Sequence, residues 1–299
     1  MSSQDFGIKS AQAIRVPATA NLLIDSADRY EYSNNTTNPF NFQIYRPQNL
    51  INGFFTRVGV SEVVMEWCEP NIPSTNNFVG IDVSGLGVKQ VTIPGGFYTT
   101  AGLLDTLVSE VNSEYYSSFN STVLSVVGGP ETPVYLDCSG YYANFASTRI
   151  ANALGIYQPP VPRILGYKQS YQINCPDLRP CRYIDIICED LTKVQRVKDS
   201  STAPTQHDVL TRFYFDEDSQ ETYDSLGFPI LMGYKPFCRR KLYNPPKQIR
   251  WEQNIPVGSL AFTAYARSAI GSAPGGYPYA QLSTSTDTNW DMTLQLSEN

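Results

Sequence analysis

The chain is short of charge. Asp, Glu, Lys and Arg make up 17% of its 299 residues, against about 25% in an ordinary soluble domain. The balance is slightly acidic, net -6 with a pI near 4.9. The basic excess that draws a protein to nucleic acid is missing, so no specific nucleic acid is expected as a partner. Histidine is nearly absent: His207, in "STAPTQHDVL", is the only one, which leaves His-based catalysis little to work with. No apolar run approaches the roughly 18 residues that cross a bilayer, so no membrane span is expected. The opening "MSSQDFGIKSAQAIRVPATA" has neither the basic start nor the apolar stretch of a secretory signal, and a soluble intracellular product is expected.

Cysteine is also sparse. Cys68, Cys138, Cys175, Cys181, Cys188 and Cys238 are scattered along the chain. In a reducing compartment they read as small buried thiols rather than a disulfide framework. Cys175, Cys181 and Cys188 are separated by five and six residues, which is not the close pairing of a structural zinc site. No cofactor, metal or catalytic residue is expected.

What fills the chain instead is Tyr (20), Pro (21) and Gly (20), with many Ser, Thr and Asn. Aromatic and β-branched side chains suit a pleated, half-buried surface, and the small and polar residues suit turns. "FNFQIY" (40–45) alternates with period two. "VGVSEVVMEW" (58–67) alternates through Val58 and Val60, then through Val63, Met65 and Trp67 after a slip of one. That slip predicts a bulge near Ser61. "RYIDIICEDL", "HDVLTRFYF", "FPILMGY", "KQIRWEQN", "GSLAFTAYAR" and "NWDMTLQLSE" predict further strands, the last with Trp290, Met292, Leu294 and Leu296 on one face.

Residues 76–164 differ in texture. "FVGIDV" and "KQVTI" predict a strand pair, and "STVLSVV" and "PVYLDC" another. Leu103, Leu104, Leu107, Val108 and Val111 recur at helical spacing behind a capping Thr99 or Thr100, and "STRIANALG" predicts a short helix capped by Ser147 and ended by Gly155. Pro159, Pro160 and Pro162 then make a stiff linker. The organisation expected is an N-terminal arm (1–18), a β domain formed by 19–75 and 165–299, and an inserted α+β module (76–164). In the arm, Phe6, Ile8, Ile14 and Val16 are spaced to add onto the sheet edge of a partner.

The clusters of functional side chains are weak as chemistry. "DSADR" (25–29) can hold a cation or run acid–base catalysis, but Asp and Ser directly after a strand also accept backbone N–H groups and end it. That is the reading taken. "DEDSQETYD" (216–224), with Asp216, Glu217, Asp218, Glu221 and Asp224, lacks the turn glycine and ligand spacing of a calcium loop and reads as a solvated surface loop. "KPFCRRKLYNPPKQIR" (235–250) carries six basic residues, among them Arg239, Arg240 and Lys241, and no acid. It reads as a solvated loop, a phosphate-binding stretch, or the positive half of a subunit contact with the acidic run. No G-x-S-x-G elbow occurs.

With catalysis disfavoured, the order of elements becomes informative. "LLIDSADR", "NPFNFQI", "VGVSEVVMEWCEPNIPSTNN", "VTIPGGFYTTAGLLDTLVSEVN", "STRIANALG", "YIDIICEDL" and "WDMTLQLSE" resemble, in sequence and order, the penton (minor capsid) proteins of virophages, polinton-like viruses and nucleocytoplasmic large DNA viruses. The resemblance runs through most of residues 20–299. It implies a mainly β protein, a single jelly-roll β-sandwich carrying the inserted module. It further implies a pentameric vertex capsomer of an icosahedral double-stranded DNA virus, with major capsid protein trimers of double jelly rolls around it. The implied location is the virion vertex, with assembly in the infected-cell cytoplasm. A homopentamer needs two different, complementary flanks, for which Arg239, Arg240, Lys241, Asp216, Glu217 and Asp218 are the candidates. Two other classes compete: a glycan-binding jelly roll that uses an exposed Tyr pair beside Asp and Asn, and a glycosidase with two inward carboxylates roughly 5–9 Å apart.

Overall fold

The structure is a computed structural model, which describes residues 19–29, 38–48, 50–51, 55–138, 140–146, 148–156, 170–173, 176–192, 209–215, 222–250, 256–267, 279–281 and 288–298. In chain order the first strands are β1 (Thr19–Asp25), β2 (Asn41–Tyr45) and β3 (Arg57–Trp67). There follow β4 (Phe78–Val83), β5 (Gly87–Thr92), helix α1 (Thr100–Phe119), β6 (Ser125–Gly129), β7 (Thr132–Asp137), β8 (Ala143–Phe145), helix α2 (Arg149–Ala153) and β9 (Ser170–Gln172). The remainder is β10 (Tyr183–Ile187), helix α3 (Glu189–Thr192), β11 (Val209–Tyr214), β12 (Phe237–Arg250), β13 (Ser259–Arg267), β14 (Tyr279–Gln281) and β15 (Asn289–Ser297).

Eight of these strands build a sandwich of nested antiparallel pairs. The first pairs with the last (β1 with β15), β2 with β13, β3 with β12, and β10 with β11. Folding that long ribbon over gives one sheet in the order β1-β15-β3-β12 and a second in which β11, β10 and β13 are followed by β2 and the short β14. Nested pairing divided between two sheets in this way is the jelly roll. The α+β elements all enter between β3 and β10, the third and fourth sandwich strands.

Alternation explains which face each strand buries. Along β15, Trp290, Met292, Leu294 and Leu296 are buried while Asp291 and Gln295 are exposed. On β3 the pattern slips at Ser61: Leu294 lies opposite Val60 and Thr293 opposite Glu62, so Ser61 has no partner. The bulge expected from the sequence is there. It keeps Val58, Val60, Val63, Met65 and Trp67 all in the core despite the change of phase. On the other side of β3 the register jumps from Leu242 to Lys247 opposite the same point, which accommodates Pro245 and Pro246.

The two sheets meet on aromatic rings. Trp290 of the first sheet packs against Phe42 (5.6 Å) and Phe262 (5.8 Å) of the second, and those two rings are 5.6 Å apart. The indole Nε1–H donates to the Pro39 carbonyl at 2.7 Å, and the Trp290 backbone N–H donates to Ser26 Oγ at 2.8 Å. A second set joins Trp67, Phe213, Phe215 and Phe237.

The inserted elements have their own apolar cluster, separate from that of the sandwich. It runs from Ile72 through Leu103, Leu104, Leu107, Val111 and Tyr115 of α1 to Tyr171, Ile173 and Leu178. Two three-stranded sheets, β5-β4-β8 and β6-β7-β9, line it. Thr99 caps α1 by accepting the Gly102 N–H at 3.2 Å, and Asn120 ends it in the left-handed region at φ 53°. For α2 the cap is Thr148, one residue beyond the expected Ser147, accepting from Ala151 N–H. Two other expectations differ. "FPILMGY" forms turns and isolated bridges, because Tyr223 pairs with Pro229 rather than with a long strand. The basic stretch, for which a solvated loop was one reading and a strand was expected only from Lys247, is strand β12 from Phe237 to Arg250, hydrogen-bonded to β3.

Trp290→Ala empties the junction between the sheets and leaves Pro39 O without its donor. It is expected to cost about 3–5 kcal/mol, read as a fall in the urea midpoint. A loss below about 1 kcal/mol would mean the rings do not hold the sheets together.

Candidate functional site

The "DSADR" stretch ends a strand. Asp25 caps the short 3-10 helix Ser26–Asp28 by accepting the Ala27 N–H at 2.7 Å. Ser26 and Arg29 are fully buried, and Arg29 Nη1 donates to Ser26 O (2.6 Å) and to Asn289 Oδ1 (2.9 Å). The guanidinium thus ties the end of β1 to the start of β15. The turn re-aims the chain.

The sequence gives no sign that this turn places Asp25 against another carboxylate. Asp25 and Asp291 are direct partners across the β1–β15 pair. On the solvent side of the first sheet, two transverse rows cross all four strands: Asp25–Asp291–Val64–Arg240 and Leu23–Thr293–Glu62–Leu242. Leu23 is 73% exposed and Leu242 62%. A shallow groove of about 310 Å³ runs over Leu23, Asp25, Glu62, Val64, Asp291 and Thr293. Partial burial pushes the Asp291 carboxyl up to about 6; the adjacent Asp25 acts in the same direction as like charge and hydrogen-bond partner, and Glu66 and Asp28 add to it.

The predicted contact residues fall as follows. Arg239, Arg240 and Lys241 sit on β12, and among the described residues no strand pairs with β12 on its far side. Arg239 Nη1 lies 2.7 Å from Met232 Sδ. Arg240, largely exposed, forms a salt bridge with Glu62 across the β3–β12 pair. Lys241 Nζ stands over the rings of Tyr214 (4.8 Å) and Tyr243 (5.4 Å). Basic side chains and prolines on a sheet edge also discourage unwanted strand addition. Asp216, Glu217 and Asp218, and the arm residues Phe6, Ile8, Ile14 and Val16, lie outside the described residues.

The last residue of the acidic run has a structural task. Asp224 Oδ2 accepts the Ala101 N–H at the start of α1 (2.7 Å), and Oδ1 accepts from Leu226 and Phe228 N–H (3.0 Å each). It binds the segment before β12 to the inserted elements.

Beside Lys241 the second sheet presents tyrosines. The Arg212 guanidinium lies 3.9 Å from the Tyr183 ring centre and forms a bidentate pair with Asp185 (2.6 and 2.9 Å). Its pKa is raised above the usual guanidinium range, first by that hydrogen bonding. Tyr183 and Tyr214 are an edge-to-face pair at 6.0 Å. Asp185, however, is 1% exposed with both oxygens engaged by Arg212, so its carboxylate does not present the acceptor that a sugar on this tyrosine pair would need.

Of the cysteines expected as buried thiols, Cys68 and Cys238 are exposed and Cys175 lies outside the described residues, whereas Cys138, Cys181 and Cys188 are buried, and burial raises all three of these thiols, Cys138 and Cys188 to about 12. They are poor nucleophiles. Among the described residues no group of three or more His, Cys, Asp or Glu is arranged to hold a metal ion, and no helix is long and apolar enough to cross a membrane.

Asp291 yields a pH prediction. Its folded pKa lies above its unfolded one, so its favourable contribution is complete below about pH 4 and is lost as pH rises through about 6. Asp291→Asn should therefore raise the urea midpoint at pH 8, by about 1 kcal/mol or less after solvent screening, and leave it unchanged at pH 4. Equal gains at both pH values would assign the effect to something other than the carboxyl pair.

No family model matches the sequence, and no curated protein does. Among solved structures, the crystal structure of the mavirus penton protein matches with a TM-score of 0.51 and 11% identity, over 95% of this chain and 100% of that one. A chain of the Sputnik virophage structure determined by cryo-EM gives a TM-score of 0.44 and 9% identity, over 94% of this chain and 98% of that one. The match covers sandwich and inserted elements together, and the chain shares the fold of the mavirus penton protein, a single jelly roll with an inserted α+β module.

Proposed function

We propose that this chain is a structural virion protein, the pentameric vertex capsomer of an icosahedral double-stranded DNA virus capsid. The observation that carries the reading is the nested β1–β15, β2–β13, β3–β12 and β10–β11 pairing with one insertion after β3, a fold shared with a penton protein across 95% of the chain. The reading includes a homopentamer seated among trimers of a double jelly-roll major capsid protein, located at the virion vertex and assembled in the cytoplasm of an infected cell. It assigns the protein no enzymatic activity. In this reading residues 19–75 and 165–299 form the capsomer wall and 76–164 an inserted module, with Ile72, β9, Ile173 and Leu178 packed on the module's side of those boundaries.

A closed ring requires one flank to recognise a different flank of the next copy. The two outer faces of a sandwich point in opposite directions and here differ in chemistry. One carries Asp25, Asp291, Leu23 and Val64, and the other Tyr45, Tyr183, Tyr214 and Arg212. Tyrosine and arginine are favoured where protein surfaces meet. Arg239, Arg240 and Lys241 stand near this boundary, with Asp216, Glu217 and Asp218 of the neighbouring copy as counter-charges. Such pairs set register and contribute about 1 kcal/mol or less each.

Native mass spectrometry at micromolar concentration is expected to give five times the 33.3 kDa protomer mass, and electron microscopy fivefold rings. A strict trimer would sink the vertex assignment in favour of a major-capsomer or fibre class. Changing Arg239, Arg240 and Lys241 together to Glu should lower the pentamer fraction several-fold while the circular dichroism spectrum of the protomer is unchanged.

A further inference from the structure

One end of the β1-β15-β3-β12 sheet carries two thiols on its solvent side. Cys238, the second residue of β12, lies directly opposite Glu66 of β3. Cys68 follows Glu66 by two residues, so its side chain leaves the sheet on the same side. Glu66, Cys68 and Cys238 are all exposed, whereas Trp67 and Phe237, the pair between them, turn towards the sandwich core.

The pairing geometry brings the two thiols together. The Cys68 backbone N–H donates to Thr288 Oγ1 at 3.5 Å, on the β15 side of β3. Backbone groups two residues apart on a strand point the same way, so those of Glu66 also face β15. Glu66 and Cys238 therefore meet as a non-hydrogen-bonded pair, the closer kind, with Cα atoms about 4.5 Å apart. Beside such a pair the right-handed twist shortens one diagonal, the one joining the more C-terminal residue of each strand. Here that diagonal runs from Cys68 to Cys238. Its Cα separation on a regular ladder is about 7–8 Å, against a disulfide limit of about 6.8 Å. The small closing movement falls on Cys68, one residue past the last pair of the β3–β12 ladder, Trp67 with Phe237. Strand ends open more readily than ladder interiors.

Partial burial, with the carboxylates of Glu66 and Asp291 nearby, raises the Cys238 thiol. Little of it is thiolate at neutral pH, so exchange is slow there and quickens in mild alkali.

We propose that Cys68 and Cys238 form a reversible disulfide that staples the start of β12 to the exit of β3. The oxidant is a small-molecule disulfide of the glutathione type. One cysteine thiolate attacks it, forming a mixed disulfide and expelling a glutathione thiolate. The second cysteine then loses its proton, attacks the protein sulfur of that intermediate and expels the other glutathione thiolate. One S–S bond breaks and one forms. The two protons given up by the cysteines end on the two glutathione thiols, so the cysteine pair is oxidised and the small disulfide reduced. The closed loop holds every inserted element from β4 to β9, and a long loop is where a crosslink restricts the unfolded chain most. The staple needs no second copy, so it stands or falls apart from the vertex reading.

The test takes full-length protein purified in reductant through a series of glutathione redox ratios at pH 8, followed by an acid quench. Peptide mapping without reductant is expected to show Cys68 joined to Cys238 within one chain, the linked peptides lighter by two hydrogens than their sum. The melting temperature should rise by several degrees on oxidation and return on reduction. Cys68→Ser and Cys238→Ser should each melt like the reduced wild type and lose the response to oxidation. Glutathione adducts with no crosslink at any ratio, a crosslink to another cysteine or to a second chain instead, or a crosslink that leaves the melting temperature unchanged would each overturn the proposal.

Discussion

The indole of Trp290 can be buried in only one arrangement. Its ring nitrogen needs the Pro39 carbonyl, its backbone N–H needs Ser26, and its faces need Phe42 and Phe262. Those partners come from β2 and the residue leading into it, from β13 and from the turn after β1, so the seat of the last strand is built by the first two sandwich strands and the seventh. A buried aromatic that also satisfies its polar atom specifies a geometry as well as adding apolar burial. Arg29 reinforces the same corner, joining Ser26 O to Asn289. The nested pairing of the jelly roll closes at this point, and the outer faces inherit their positions from it.

Part of this was legible in the chain. β15, the phase slip at Ser61, the Thr99 cap and the amphipathic α1 are local patterns, each carried by side chains a few residues apart. The end of strand β12 was legible in "KQIRWEQN", but its first half was hidden because it pairs only with β3 among the described residues and bears charges that normally mark a solvated loop. Phe237, Arg239, Lys241 and Tyr243 do alternate as half-buried with exposed Cys238, Arg240 and Leu242, but two prolines and the jump in register interrupt the signal. "FPILMGY" failed in the opposite way: its apolar content suggested a strand, yet it packs through turns.

The candidate site was less legible than the fold, for a plain reason. Asp25 and Asp291 are 266 positions apart and meet only because the first and last strands pair. Asp224 looked like one more member of a solvated acidic run and instead binds three backbone N–H groups. Lys241 owes its position over Tyr214 and Tyr243 to the meeting of β11 and β12, one from each sheet. Pairings of this kind depend on topology, which composition and periodicity report only coarsely.

The place of the insertion also has consequences for the sandwich faces. All the additional elements enter between β3 and β10 and build an apolar cluster of their own, from Ile72 to Leu178. Their presence leaves both outer faces of the sandwich intact: the two acidic and apolar rows still cross all four strands of one sheet, and Tyr45, Tyr183 and Tyr214 still stand on the other. The coupling back to the sandwich side is local, chiefly Asp224 at the start of α1 and Leu226 and Phe228 against the second cluster. A module attached in this manner can change in size or surface without disturbing the two outer faces of the sandwich. Substitutions in the second cluster should therefore act on the inserted elements first. Substitutions at the Trp290 corner should act on the sandwich, and through it on both outer faces together.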